Sequence, residues 1–162
     1  MTRPIASLPE FYAHAIAIER EAVRCYRECD RHFTAQGEDA LARICRELAD
    51  QEERHFSELQ DRASATALPR IEEGDYAWLG SAPPEGAARE LAFRISTPRQ
   101  LLELALLAEN SAREFYEATA RTTPDAAVRA LATAMAMVEE EHVRRMLLIL
   151  EELPPALDHP RH

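Results

Sequence analysis

The chain has 162 residues, 46% hydrophobic and 30% charged with only 4 glycines, which excludes a disordered chain and indicates one mostly helical globular domain. The formal net charge is −10 without a clustered basic stripe, so nucleic acid is not expected as a partner, whereas metal cations or proteins are. No apolar run reaches the roughly 18 to 20 residues of a membrane span and no secretory signal is evident, so we expect a cytoplasmic protein without membrane contact.

Apolar residues recur with a helical period along most of the chain and predict four long helices. Three of them begin at a polar capping residue followed by proline or by a capping-box partner, and these predicted N-caps are Ser7, Thr97 and Thr123. The Pro154-Pro155 pair ends the last helix. The predicted helices cover about residues 8–33, 38–62, 98–121 and 124–153.

Short turns separate the helices within each pair, and a long connector of about residues 63–97 separates the pairs. The connector contains prolines and glycines, and the segment 85–93 within it suggests a short helix. Two antiparallel helix hairpins joined by a crossover build a four-helix bundle. We therefore predict an all-α fold in a single domain that spans residues 1–162.

The three cysteines, Cys25, Cys29 and Cys45, form no Cys-x-x-Cys pair. Their odd number and spacing argue against a disulfide framework and against a zinc-ribbon or rubredoxin-type site. We expect them to be small residues of the core.

Four glutamates lie inside apolar helical faces, because the residues three, four and seven positions away are mostly apolar. Two of them are followed three residues later by a histidine. The set, one group per predicted helix, is Glu19, Glu52 with His55, Glu109, and Glu139 with His142.

Glu139 is the first of three consecutive glutamates, and only this one has a mostly apolar face. Glu141 shares its face with Arg144 and Arg145, so we expect it to be solvated. Glu140 is expected to be intermediate between the two.

Four isolated buried carboxylates would be strongly destabilising, so a cation is expected among them. A known ligand pattern for two metal ions inside a bundle uses one glutamate from each of two helices and Glu-x-x-His from each of the other two. Such oxygen-rich ligands suit iron or manganese better than zinc. A single Glu-x-x-His arises easily by chance, and the prediction rests on the concurrence of all six residues, repeated in both halves of the chain.

These six residues resemble the di-iron ligands of the ferritin-like superfamily, and the repeated halves resemble stand-alone rubrerythrin-type domains most. The resemblance covers the four helices and implies a ferritin-like bundle that binds two iron ions, with manganese as an alternative. It also implies Glu52 and Glu139 as bridging ligands and Glu19 and Glu109 as terminal ligands. Tyr26 and Tyr116, each seven residues after a terminal glutamate, are implied as hydrogen-bonding partners of ligand carboxylates, with plain core packing as the alternative.

The chain departs from its relatives at three features. Rubrerythrins carry a further carboxylate three residues after the first ligand of the third helix, and this chain has Ala112 there. It also lacks their rubredoxin-like domain. Bacterioferritins bind haem through a methionine after the second-helix glutamate, and this chain has Glu53, so no haem is expected.

The resemblance implies an oxidoreductase that oxidises Fe(II) or reduces peroxide, with peroxide or dioxygen as oxidant and an external electron-donor protein. A homodimer is expected. Two alternatives remain, a di-iron oxygenase that acts on an organic substrate and a metal-binding bundle without turnover.

Overall fold

A computed structural model describes residues 4–71 and 95–154, which contain four long α-helices and no β-strand. The all-α prediction is therefore confirmed. None of these helices is long and apolar enough to cross a membrane. In chain order the helices are α1 (Leu8–Ala35), α2 (Asp39–Ala63), α3 (Pro98–Thr122) and α4 (Ala126–Glu152).

The predicted caps of α1 and α3 form as hydrogen bonds. Ser7 Oγ accepts from the Glu10 amide at 3.4 Å, and Thr97 Oγ1 accepts from the Gln100 amide at 3.2 Å. The two partner side chains reach back, because Glu10 Oε2 accepts from the amide of residue 6 and Gln100 Oε1 from that of residue 96. These reciprocal bonds satisfy amides that have no partner inside the helix.

The start of α4 differs from the prediction. Asp125, not Thr123, is the N-cap, and its Oδ1 accepts from the amides of Ala127 at 2.7 Å and Val128 at 3.1 Å. The helix therefore begins at Ala126 rather than at residue 124. Thr123 Oγ1 instead accepts from the Asp125 amide at 3.2 Å. A carboxylate that accepts two amides also suits the positive end of the helix dipole better than a hydroxyl does.

The turn between α1 and α2 depends on Gly37, which adopts a positive φ of 74°. Its amide donates to Thr34 O at 3.1 Å, and the Glu38 amide donates to Phe33 O at 2.9 Å. This is the Schellman arrangement, which requires a left-handed residue just past the helix end. The tight turn folds α2 back along α1.

Helix α1 packs along α2, and α3 packs along α4. Apolar residues from the start of α1 and α4 and the end of α2 and α3 cluster at one end of the bundle, among them Phe11, Val128, Leu59 and Tyr116. A second cluster, at the other end, includes Phe33, Leu41 and Leu101. Helix α2 ends at the first cluster and α3 begins at the second, at opposite ends of the bundle, so the two hairpins are connected as a crossover. The short helix suggested for residues 85–93 lies outside the described residues.

Arg99 joins the start of α3 to the end of α4. Its guanidinium donates to the carbonyl oxygens of Leu150 and Leu153, both at 2.6 Å, and to that of Pro154 at 2.8 Å. Helix α4 has no basic residue in its own last turn. Arg99 therefore supplies the cation and the donors that the last carbonyls of a helix need.

The cysteines are free thiols within the helical core. Cys29 and Cys45 are buried in the second apolar cluster, and Cys25 is partly buried. The contact with Cys25 lowers the pKa of the Cys29 thiol, but the contact with Cys45 and burial outweigh it and raise that pKa to about 12, so the reactive thiolate is disfavoured. These thiols pack as apolar residues.

Candidate metal centre

Each helix places one glutamate in the middle of the bundle. Their exposed fractions are 1% for Glu19, 2% for Glu52, 4% for Glu109 and 1% for Glu139. The helical period that surrounds each of them with apolar residues forces the carboxylates inward. Four ionised carboxylates at this depth would cost several kcal/mol each without a compensating charge.

The first hairpin contributes Glu19, Glu52 and His55. The Nδ1 atom of His55 lies 3.9 Å from Glu19 Oε2 and 3.9 Å from Glu52 Oε2. The two carboxyl groups also lie close enough for each to shift the pKa of the other. One imidazole and two carboxyl groups thus converge within the first half of the cluster.

The second hairpin contributes the equivalent group, Glu109, Glu139 and His142. The Nδ1 atom of His142 hydrogen-bonds Glu109 Oε2 at 3.1 Å and lies 3.3 Å from Glu139 Oε2. The latter contact does not have hydrogen-bond geometry, so Glu139 Oε2 is buried with no hydrogen-bond partner among the described residues. This half is the more closely packed of the two.

The two halves meet through the histidines. The rings of His55 and His142 stack with centroids 4.8 Å apart and planes inclined by 7°. Glu52 reaches both halves, because its Oε1 atom lies 3.9 Å from His142 Nδ1 while Oε2 faces His55. All six predicted residues therefore form one connected cluster. The cluster contains two triads, and within each triad the ligand atoms lie within 4.8 Å of one another. One triad is Glu52, His55 and His142, and the other is Glu109, Glu139 and His142.

The two tyrosines contact the carboxylates crosswise between hairpins. The Tyr116 hydroxyl of α3 donates to Glu19 Oε1 of α1 at 3.1 Å, and the Tyr26 hydroxyl of α1 donates to Glu109 Oε1 of α3 at 3.4 Å. Both tyrosines are almost fully buried. Each tyrosine therefore orients the glutamate of the opposite hairpin, which ties the two halves together. The family resemblance implied a carboxylate partner for each tyrosine, with plain core packing as the alternative, but it did not imply this exchange between hairpins.

Burial and mutual repulsion make three of the carboxyl groups hold protons. Burial raises the pKa of Glu19 well above its ordinary value, and the carboxylates of Glu139 and Glu52 raise it further. Burial, with the charge of Glu109, also raises the pKa of Glu52 to about 7. Burial is the largest cause that raises the pKa of Glu139, to about 8. At pH 7 without a metal, Glu19 and Glu139 are therefore largely neutral carboxylic acids, and Glu52 is about half protonated.

Glu109 and His142 behave as an ion pair. Burial opposes ionisation of Glu109, but hydrogen bonds from His142, Glu139 and Tyr26 outweigh it and lower the pKa of Glu109. Burial likewise opposes the charge on His142, but Glu109 and Glu139 outweigh it and raise its pKa to about 10. The pKa of His55 is lowered by burial and by the charge of His142, so this imidazole is neutral.

Two of the three consecutive glutamates remain outside the cluster. Glu141 is partly exposed, with 40% of its side chain accessible, and pairs with Arg144 at 2.7 Å and with Arg145 at 3.1 Å, the two arginines of its helical face. Glu140 was expected to be intermediate, but its side chain is 66% exposed, 3.6 Å from Arg113 of α3. Only Glu139 points into the bundle.

The positions that separate this chain from its relatives have structural roles elsewhere. Ala112 packs against the apolar cluster that contains Phe11. Glu53 faces solvent and pairs with Arg27. The structure also shows one contact that the sequence analysis did not predict: the Gln51 side-chain amide donates to Glu52 Oε1 at 3.5 Å.

The donor set fits metal cations. It offers carboxylate oxygens and imidazole nitrogens within reach of one another, and both Glu139 Oε2 and His55 Nδ1 are buried without hydrogen-bond partners among the described residues. Divalent cations would neutralise the carboxylates and occupy these unpaired atoms. Two carboxyl groups and one imidazole from each hairpin are a donor set that suits iron or manganese.

Comparison with known proteins agrees with this geometry. A family model described as rubrerythrin matches residues 10–76, which cover most of α1 and all of α2. No curated protein matches the sequence significantly. The fold is similar to the crystal structure of an uncharacterised conserved protein from Magnetospirillum magnetotacticum MS-1, with 30% identity, a TM-score of 0.74, and coverage of 96% of this chain and 99% of that chain. The chain belongs to the rubrerythrin family of the ferritin-like superfamily.

Proposed function

We propose that this protein is a di-iron oxidoreductase that oxidises Fe(II) with peroxide or dioxygen, and that an external protein returns the electrons. The observation that carries the proposal is the connected cluster of four buried carboxyl groups and two stacked imidazoles at the centre of the bundle. The ligands are Glu19, Glu52, His55, Glu109, Glu139 and His142.

The distribution of contacts supports different roles for the carboxylates. Glu52 has one oxygen directed to each histidine, which suits a bridging ligand. Glu19 and Glu109 each keep one oxygen on a tyrosine, which suits terminal ligands whose orientation is fixed. We assign the second bridge to Glu139, whose free Oε2 atom lies beside His142.

Two adjacent iron ions would supply the pair of electrons that cleaves an O–O bond. The chain itself supplies geometry and proton control. Its carboxyl groups and His142 lose their protons to solvent as cations bind, because cations replace the protons as the source of compensating charge. The surrounding apolar clusters keep bulk water away from the four carboxyl groups.

The need for an external donor follows from the cysteine content. With three cysteines the chain cannot build a four-thiolate iron site, and two of the three thiols are buried. Ala112 also leaves the third helix without the additional carboxylate of rubrerythrins. We therefore propose a single fast turnover, followed by further turnovers only when electrons arrive from outside.

Stopped-flow oxidation of the anaerobically Fe(II)-loaded protein tests the proposal. We expect a fast phase that consumes about one peroxide per pair of ferrous ions, and then arrest. Addition of a reductase with a small redox protein, or of excess Fe(II), should restart the reaction. Glu139→Gln should abolish the fast phase, and the matched change Glu141→Gln, which lies outside the cluster, should retain it.

Two results would contradict the proposal. One is oxidation no faster than that of Fe(II) in buffer, which would leave a metal-binding bundle without turnover. The other is many turnovers with a nicotinamide donor alone, which would contradict the external protein donor. Comparison of peroxide with dioxygen in the same apparatus identifies the preferred oxidant.

A further inference from the structure

A cavity of about 100 Å³ lies between α2 and α4 beside the cluster. Its wall on α2 includes His55, Glu58 and Arg62, and its wall on α4 includes Leu131, Met135 and Val138. Glu58 and Arg62 are exposed, whereas Met135 is buried. The cavity therefore extends from the surface into the bundle.

His55 belongs both to the cavity wall and to the carboxylate cluster. Its side chain is 20% exposed, whereas that of His142 is only 6% exposed. All four glutamates of the cluster are at least as buried as His142. The His55 side is thus the part of the centre that a molecule from solvent can reach in the described structure.

The size and charge of the cavity limit what can pass. Its volume corresponds to about three water molecules, and it is smaller than a cavity of ~150 Å³ that holds benzene. One acidic and one basic side chain, Glu58 and Arg62, add no net charge to an otherwise mainly apolar lining. These properties suit a small neutral molecule and exclude a large organic substrate.

We propose that this cavity is the route by which a small neutral oxidant with an O–O bond, dioxygen or hydrogen peroxide, reaches the His55 side of the centre. This inference rests on the proposed function for the identity of the molecule. The route itself depends only on the residues of α2 and α4, so the two can be tested separately.

Filling the cavity from its edge provides the test. Ala134 is an exposed residue of the cavity wall, and Ala130, one helical turn earlier on α4, is equally classed as exposed but does not line the cavity. Ala134→Phe should obstruct the route, Ala134→Leu should obstruct it less, and Ala130→Phe is the matched control. Both sites face solvent, so these variants should fold.

The first measurement uses nitric oxide, a neutral molecule similar in size to dioxygen, and follows its binding to anaerobic Fe(II)-loaded protein by absorbance. We expect Ala134→Phe to slow binding at least tenfold, Ala134→Leu to slow it less, and Ala130→Phe to leave it unchanged. Iron content, measured for each variant, should stay at the wild-type value. The rates of oxidation by dioxygen and by peroxide, compared across the same variants, show which oxidant uses the route.

The second measurement needs no metal. Deuterium exchange at the C2 atom of His55, resolved by mass spectrometry over a range of pH, reports access of water to this ring. Ala134→Phe should slow the plateau exchange rate at His55 but not at the buried His142. Unchanged nitric oxide binding and unchanged His55 exchange in Ala134→Phe would overturn the route. Loss of metal binding by the wild-type protein would instead contradict the proposed function and leave the exchange test intact.

Discussion

Raising the pH should destabilise the metal-free protein, because folding buries carboxyl groups in their neutral form. The pKa of Glu139 is raised from 4.5 to about 8, and that of Glu52 to about 7. Below pH 4.5 each group is protonated in both the folded and the unfolded chain. Above pH 4.5 the unfolded chain loses protons that the folded chain retains. The free energy of unfolding therefore falls as the pH rises from 4.5 to the folded pKa values.

The magnitude follows from these shifts. At ~1.4 kcal/mol per pKa unit, Glu139 accounts for a loss of up to ~4 kcal/mol between pH 5 and 8. Glu52 accounts for up to ~3 kcal/mol between pH 5 and 7. Because the carboxyl groups interact, the amounts do not add fully, and we expect a total loss of about 4 kcal/mol. This is a large part of the roughly 5 to 15 kcal/mol that stabilises an ordinary domain.

Urea unfolding of chelator-treated protein at several values between pH 5 and 8 measures this loss. Glu139→Gln provides the critical comparison, since it keeps the shape but cannot ionise. We expect this variant to show a weaker pH dependence and, at pH 8, to be more stable than the metal-free wild type. Glu141→Gln should keep the wild-type dependence, because Glu141 lies outside the cluster and pairs with Arg144. Stability that is constant or increases from pH 5 to 8 would refute the reasoning.

Further predictions concern the protons and the polar contacts around the centre. Loading two divalent ions at pH 7 should release between about three and four protons, because Glu19, Glu139 and His142 are protonated in the metal-free state and Glu52 is about half protonated. Calorimetry in buffers of different ionisation enthalpy counts these protons, and no release would contradict the protonated cluster. Tyr116→Phe removes the donor to a buried carboxyl group and should cost about 1 to 3 kcal/mol of metal-free stability in urea unfolding, whereas a change within error would mean that the tyrosine only packs. Arg99→Ala should lower the free energy of unfolding by about 1 to 2 kcal/mol, because it leaves the carbonyl oxygens at the end of α4 without a donor. In thermal melts Arg99→Lys should be intermediate, and an equal loss in both variants would contradict the role of the guanidinium contacts.

Local sequence signals were sufficient for the helices and for the inward face of each. The apolar residues around Glu19, Glu52, Glu109 and Glu139 predicted their burial, because a helical period relates positions three, four and seven apart in any fold. Helix starts were less certain where two capping residues stand close together. Asp125 displaced Thr123 because the carboxylate accepts two amides, which a single hydroxyl did not match.

Contacts between hairpins could not be predicted in the same way. The exchange of Tyr26 and Tyr116 between the hairpins depends on how α1 and α3 approach each other. The contact of Arg99 with the end of α4 and the cavity beside His55 likewise join residues that are distant in sequence. No local pattern encodes such distances, so only the assembled bundle reveals them.

Metal content per chain after anaerobic Fe(II) loading and removal of free ions is the most direct test of the central claim. The account predicts two iron ions per chain for the wild type and for Glu141→Ala. It predicts the loss of one ion for Glu139→Ala, because Glu139, unlike Glu141, is directed into the cluster. Well under one ion per wild-type chain, or equal losses from both variants, would contradict it.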